Sequence, residues 1–120
     1  KGPDKMVLIS DSMGATGLSD GDYSLEGEKV VVKDSVARLE DGSLAGSTLT
    51  LDKALKNIVN VVRIPFKDAL SMITYNPARE ISIEKNIGSI FKGKIADLVI
   101  LDESLQVKAT FIEGEKVFGN

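Results

Sequence analysis

Three features of the sequence predict an α/β fold. The apolar run Met6-Val7-Leu8-Ile9 ends on Ser10-Asp11 and opens into residues rich in Gly, Ser and Asp, as a short strand covered on both faces does where it meets a loop. Residues 51–62 place apolar side chains at helical spacing, and residues 23–39 and 96–118 read as short strands separated by turn signals. An acid at the carboxyl end of a buried strand is where α/β barrels place their chemistry, so Asp11 is the first candidate functional residue.

Each element follows from its residues. Ser12 to Asp22 contains three Gly and no periodicity, so it is read as a loop. Val30-Val31-Val32 is β-branched and flanked by Glu26-Gly27-Glu28 and Lys33-Asp34-Ser35, which predicts a meander of two or three antiparallel strands within Tyr23 to Leu39. Leu51, Leu55, Ile58, Val59 and Val62 then share one helix face, with Asp52, Lys53, Lys56 and Asn57 opposite. Ser47 or Thr48 is the expected N-cap, and Asp52 puts negative charge at the positive end of the helix dipole. Pro65 ends the connection, and Phe66 to Tyr75 predicts a second helix that buries Ala69, Leu70, Met72 and Ile73. Asn76-Pro77 stops it and offers a cap and a first helical position for another turn. The β texture returns from Ile87, with strands expected at Ala96–Asp102 and Val107–Ile112 and a turn at Gly114 into Lys116-Val117-Phe118.

Composition narrows the function. The chain has 120 residues, enough for one domain, with 42% apolar and 28% charged residues, which is globular rather than disordered. Net charge is −3 with both signs interspersed, so no basic patch points to nucleic acid. No apolar run approaches the roughly 18 residues that span a bilayer, so no membrane partner is expected. The absence of cysteine removes disulfides and thiolate chemistry and fits a reducing cytoplasm. The absence of histidine removes the imidazole and the metal ligands that would usually work beside a catalytic acid. Lys1-Gly2-Pro3-Asp4-Lys5 carries no initiator Met, and aromatic residues are only 5% with no Trp. A piece of a longer polypeptide is therefore expected.

Candidate sites each have two readings. Asp11 is either a loop acid that caps a turn or a carboxylate that moves a proton at a strand end. Leu44-Ala45-Gly46-Ser47 is either a tight loop before a helix or a set of backbone N–H and C=O groups that hydrogen-bond a polar ligand. Gly88 to Lys94 has the spacing of a phosphate-binding loop, but Ile95 follows instead of Ser or Thr, and a strand follows instead of a helix. A hairpin turn is expected there. Cations on the 51–63 helix read as its solvated face, Arg79 as a structural ion-pair partner, and Glu84, Lys85 and Glu103 as surface charge.

Taken together, the chain resembles the carboxyl-terminal third of the N-acetylglucosamine-6-phosphate deacetylases, in the metal-dependent amidohydrolase superfamily. Leu8-Ile9-Ser10-Asp11-Ser12-Met13, with Gly17 and Asp20-Gly21 after it, is similar to that family's last barrel strand and catalytic Asp. Asp41-Gly42-Ser43-Leu44-Ala45-Gly46-Ser47 is similar to its substrate-contacting loop. Asn76-Pro77-Ala78, Gly88-Ser89-Ile90 and Gly93 to Val99 resemble stretches shared by many amidohydrolases. Ser10-Asp11 stands where the family pattern usually has Thr-Asp.

The resemblance implies a C-terminal part of a (β/α)8 TIM-like barrel plus strands of a small accompanying β-sandwich. Residues 1–86 would be the last strand, the meander and the closing helices, and residues 87–120 the sandwich strands. It implies a divalent metal, zinc or iron, bound mainly by residues upstream of this segment, that polarises the acetamide carbonyl and activates water. Asp11 would accept the water's proton and deliver it to the amine, and backbone groups of Leu44, Ala45 and Gly46 would hold the sugar phosphate. The implied partners are the amino-sugar phosphate, the remainder of the barrel and, for the full-length protein, a second copy. The segment alone is expected to be inactive. Two other readings stand beside this one: another amidohydrolase acting on cyclic amides, and a non-catalytic binding module.

Overall fold

The computed structural model describes residues 1–25 and 27–119. Among them the chain is mixed α/β, with two three-stranded antiparallel sheets, three α-helices and a short 3-10 helix at Pro3–Lys5. It divides into two units, Ile9–Ala54 on the one hand and Lys1–Leu8 with Leu55–Asn120 on the other.

In the first unit the expected meander is present as β1 (Gly21–Leu25), β2 (Glu28–Lys33) and β3 (Val36–Leu39), in the order β1-β2-β3. Tyr23 pairs with Val30, and Val32 with Ala37. Side chains alternate across a strand, so Val30 and Val32 are buried while Val31 is exposed. Met13, Ala15, Ala37 and Ala45 complete the buried cluster, with Tyr23, Leu25 and Leu39 packed against it. Asp34 and Ser35, at φ 51 and 61, join β2 to β3, since a two-residue hairpin whose twist matches its strands needs both central residues left-handed. The Asp34 N–H donates to Asp20 Oδ2 at 2.9 Å, which fastens the turn to the loop before β1. Of the turn expected at residues 26–28, Glu26 lies outside the described residues.

The second unit packs helices on one another. α1 spans Leu51–Asn60 and belongs to this unit from Leu55 on, α2 spans Phe66–Ile73 and α3 spans Tyr75–Glu80. Leu55, Ile58, Ala69 and Met72 form the buried cluster, with Leu8, Val59, Ile64, Leu70 and Ile73 around it. Leu55 and Met72 are among the largest fully buried side chains, each worth about 1.5–3 kcal/mol relative to exposure. A second sheet orders β4 (Leu98–Leu101), β5 (Val107–Ile112) and β6 (Glu115–Phe118), close to the spans expected from the sequence. Glu113 and Gly114, at φ 51 and 86, form the two-residue turn between β5 and β6.

Several expectations are corrected. Residues 6–11 belong to no strand. A parallel strand exists only through its hydrogen-bonded neighbours, and no described element supplies them on either side; Leu8 instead donates its N–H to Met72 O at 3.0 Å. Neither Ser47 nor Thr48 caps α1. The Ser47 hydroxyl accepts the Leu49 N–H, the Thr48 hydroxyl donates to Ser35 O, and the first helical carbonyl is that of Thr50, which accepts the Ala54 N–H at 2.9 Å. Leu51 and Val62 are exposed, because the helix starts at one and ends before the other. Asn76 is not a cap but a buried residue inside α3, its Nδ2 donating to Pro3 O and Met6 O at 2.8 and 2.7 Å. Gly88, at φ 82, packs so closely on α3 that a Cβ there would sit 2.8 Å from Ala78 Cβ.

Candidate functional site

Asp11 sits in a backbone conformation that few residues with a side chain adopt. Its φ is 50, in the left-handed region that Asp and Asn tolerate better than most. Such a conformation costs on the order of 1–3 kcal/mol and persists only where flanking contacts hold it. The carboxylate-bearing residue is exposed.

Those flanking contacts come from the second sequence motif. Ser12 forms a parallel bridge with Ser47, and the Met13 N–H donates to Ser47 O at 2.8 Å. The Ser12 hydroxyl donates to Leu49 O at 2.5 Å, and the Thr16 hydroxyl donates to Ser47 O at 3.2 Å. The residue after Asp11 is thus tied to the residue after Gly46.

The loop that carries Leu44, Ala45 and Gly46 is built as an extension of β3. Asp41 opens it: its Oδ1 accepts both the Ser43 N–H at 2.9 Å and the Ser43 hydroxyl at 2.6 Å. That hydroxyl, then the N–H, holds the Asp41 carboxyl below the usual carboxylate range. Arg38 Nη1 donates to Gly42 O at 2.7 Å. Leu39 N–H to Ser43 O and Ala45 N–H to Ala37 O then bracket a bridge between Arg38 and Leu44. In that antiparallel pattern the bracketed pair turns its own N–H and C=O outward, so the backbone polar groups of Leu44 face away from β3. The Leu44 side chain is 69% exposed, whereas Ala45 is buried in the core beside Met13. Gly46 has φ 130, and a Cβ there would lie 3.4 Å from Met13 Cβ. A cavity of about 320 Å³ lies beside the loop, lined by Val36, Gly46, Ser47, Thr48, Leu49 and Lys53 among others.

The structure therefore brings the Asp11 segment and the Leu44–Gly46 loop together. Of the expected backbone donors, that of Ala45 is already engaged by Ala37 O; Leu44 and the exposed Gly46 are the free-standing part of the loop. Ser12 and Met13 lie in the Asp11 motif, but spacing gives neither them nor Thr16 a role in a joint, because the partners of the two hydroxyls are 31 and 37 residues away. The Ser and Thr flanking a candidate acid were the available signal.

The remaining candidates resolve into structural roles. Lys94 turns its ammonium onto Glu84 O, Ile87 O and Ser89 Oγ at 2.5, 3.2 and 2.6 Å, so its charge holds the loop rather than facing a phosphate. The turn there is not a hairpin: Lys94 N–H bonds Phe91 O, and the segment leads into β4 without joining two strands. Arg79 bonds Asp4 O, lies 5.8 Å from the Tyr75 ring centroid, and has Glu80 at 3.8 Å. Glu84 is half-buried rather than a surface charge, with Oε2 buried and without a hydrogen-bond partner among the described residues.

No group of three or more His, Cys, Asp or Glu side chains that could hold a metal ion is gathered among the described residues. With no His or Cys in the chain, the residues present do not fit a metal centre by themselves. No helix among them is long and apolar enough to cross a membrane.

The amidohydrolase family matches residues 10–117. The chain is 39% identical over 114 residues to the N-acetylglucosamine-6-phosphate deacetylase of Vibrio furnissii, covering 95% of this chain and 29% of that protein. It is likewise 39% identical over 112 residues to the N-acetylgalactosamine-6-phosphate deacetylase of Escherichia coli O157:H7, covering 93% of this chain and 30% of that one. Among solved structures, the N-acetylglucosamine-6-phosphate deacetylase of Thermotoga maritima superposes with TM-score 0.91 at 42% identity, over 100% of this chain and 33% of that one. An aspartate-to-alanine mutant of the Mycobacterium smegmatis enzyme, in complex with N-acetyl-D-glucosamine-6-phosphate, superposes with TM-score 0.85 at 37% identity, over 97% of this chain and 31% of that one. The chain spans about a third of the length of these relatives.

Proposed function

The chain belongs to the amidohydrolase family, and on that premise we propose that it is the carboxyl-terminal part of a deacetylase that hydrolyses N-acetylglucosamine-6-phosphate to glucosamine-6-phosphate and acetate. The observation that carries the reading is the joint between Ser12-Met13 and Ser47, which places the Asp11 segment against the Leu44–Gly46 loop. Likeness over almost the whole chain to deacetylases of hexosamine phosphates supports it over a cyclic-amide substrate or a non-catalytic module.

In this reading Asp11 is the proton carrier. Its carboxylate takes a proton from the water that attacks the acetamide carbon and gives that proton to the nitrogen as the C–N bond breaks, so the carboxylate is regenerated and acetate leaves. Its exposure lets it reach a ligand, and its left-handed backbone, followed directly by the Ser12-Met13 joint, fixes where it points. The outward N–H and C=O of Leu44 hydrogen-bond the sugar phosphate, the Ala45 carbonyl serves as an acceptor, and Gly46 allows the ligand to approach the backbone closely.

The divalent metal, zinc or iron, would be held by residues in the part of such an enzyme that this chain does not span, and supplies there an electrophile and an activated water. Residues 1–86 would close a (β/α)8 barrel and residues 87–120 would add strands to a small β-sandwich. The complete protein would act in the cytoplasm, as an oligomer. The test is acetate release from N-acetylglucosamine-6-phosphate and from its galactosamine epimer by the complete protein carrying these residues, with and without a chelator. Release from the gluco substrate that the chelator abolishes is the expected result. No release under any added metal would overturn the reading.

A further inference from the structure

Outside the deacetylase site, the 320 Å³ cavity beside Lys53 has its Ser47 and Thr48 hydroxyls occupied by the Leu49 N–H and Ser35 O. The exposed apolar residues of the second sheet show nothing of what covers them. The joint around Ser12 carries further.

We propose that Ser12 is a positioning residue, whose hydroxyl locks the Asp11 carboxylate in place relative to the Leu44–Gly46 loop. This rests on the deacetylase reading and adds a role that the family likeness does not assign. Ser12 follows Asp11 directly, so its φ and ψ set how the acid's backbone leaves the left-handed conformation. Three bonds converge on this point: the Ser12 hydroxyl to Leu49 O at 2.5 Å, the Met13 N–H to Ser47 O at 2.8 Å, and the Thr16 hydroxyl to the same Ser47 O at 3.2 Å. The Ser12 hydroxyl bond is the one adjoining the acid that a single side-chain change removes, while the Met13 backbone bond remains possible.

Without the Ser12 hydroxyl the acid's strained conformation loses one of the contacts that over-determine it, and Asp11 relaxes relative to a loop that stays anchored on Ala37 through Ala45. A displacement of about 1 Å between catalytic group and substrate can cost on the order of 100-fold in rate while leaving substrate binding nearly intact. Ser12 touches neither the reacting atoms nor the ligand in this account; it acts through Asp11.

The experiment compares the complete wild-type protein with Ser12→Ala and Ser12→Thr, by steady-state acetate release and by hydrogen exchange at the Met13 amide. Ser12→Ala is expected to lower kcat by roughly 10-fold or more with KM within about twofold, and to speed Met13 exchange as the bridge to Ser47 opens. Ser12→Thr, which keeps the hydroxyl at an exposed position, is expected to restore both. Wild-type kcat in Ser12→Ala, a loss that Ser12→Thr fails to rescue, or unchanged Met13 exchange would overturn the proposal. If the wild type releases no acetate, the deacetylase reading fails by itself, and Met13 exchange still decides whether Ser12 holds the joint.

Discussion

Ser12 and Ser47 face each other across a parallel bridge, and one residue on each side of it the chain is under constraint: Asp11 at φ 50 and Gly46 at φ 130. Gly46 also presses its bare Cα toward Met13, whose Cβ lies 3.4 Å from where a Gly46 Cβ would be. Gly46→Ala therefore combines an unfavourable backbone conformation with a push on the residue that carries the Met13–Ser47 bond. The expected loss is about 1–3 kcal/mol in a denaturant titration, with weakened substrate binding. A midpoint equal to that of the wild type would show that the loop relaxes freely at this point.

Asn76 is the buried polar residue that ties α3 to the chain's first residues, through Pro3 O and Met6 O. Asn76→Ala leaves carbonyl groups without that donor and opens a small void, for an expected loss of about 1–3 kcal/mol. Asn76→Asp keeps the size but replaces the donating amide with an acceptor facing two carbonyl oxygens, so it is expected to cost at least as much. Unfolding of the variants by chemical denaturant measures both. A loss below about 0.5 kcal/mol, the range of ordinary surface changes, would contradict the role.

Asp102 gives the protein an acid-sensitive contact. Its carboxylate accepts the Ser104 and Gln106 N–H groups, each at 2.9 Å, and pairs with Lys108 at 3.0 Å. The Gln106 N–H first, and then Lys108, hold its carboxyl below the usual carboxylate range. A depressed folded-state value favours the charged form in the native protein, so this contribution is fully present above the unfolded value near 3.9 and is lost as pH falls through the lower folded value. Asp102→Asn is expected to be less stable than wild type at about pH 6, with the gap closing toward about pH 3. A gap of the same size at both pH values would remove Asp102 from the acid response.

Much of the fold is legible in local pattern, and the failures share a cause. The Val30-Val31-Val32 strand, the helix from Leu51 and the turn at Gly114 are each set by residues adjacent in sequence, and each is found, with the helix ending at Asn60 short of Val62. Met6 to Ile9 reads as a strand for the same local reason, but a strand is a relation to neighbours that no described element provides. Ser47, Thr48 and Asn76 are good capping residues by type, yet Ser47 is taken up by a local turn with the Leu49 N–H, and Thr48 and Asn76 by partners distant in sequence, Ser35 O and the Pro3 and Met6 carbonyls. The candidate site divides in the same way. Asp11 and the Leu44–Gly46 loop stand out by motif, whereas the Ser12 joint depends on a contact 37 residues away and leaves no trace in spacing.

Turnover of Asp11→Asn in the complete protein, with its metal content measured alongside, decides whether this carboxylate carries the proton. Asn tolerates the left-handed backbone as Asp does, so the substitution removes the proton-carrying carboxylate and leaves its placement intact. Turnover is expected to fall by at least the roughly 10²–10⁴-fold that proton transfer supplies, with metal content largely unchanged. Near-normal turnover by a folded, metal-loaded variant would contradict it and remove Asp11 from the mechanism.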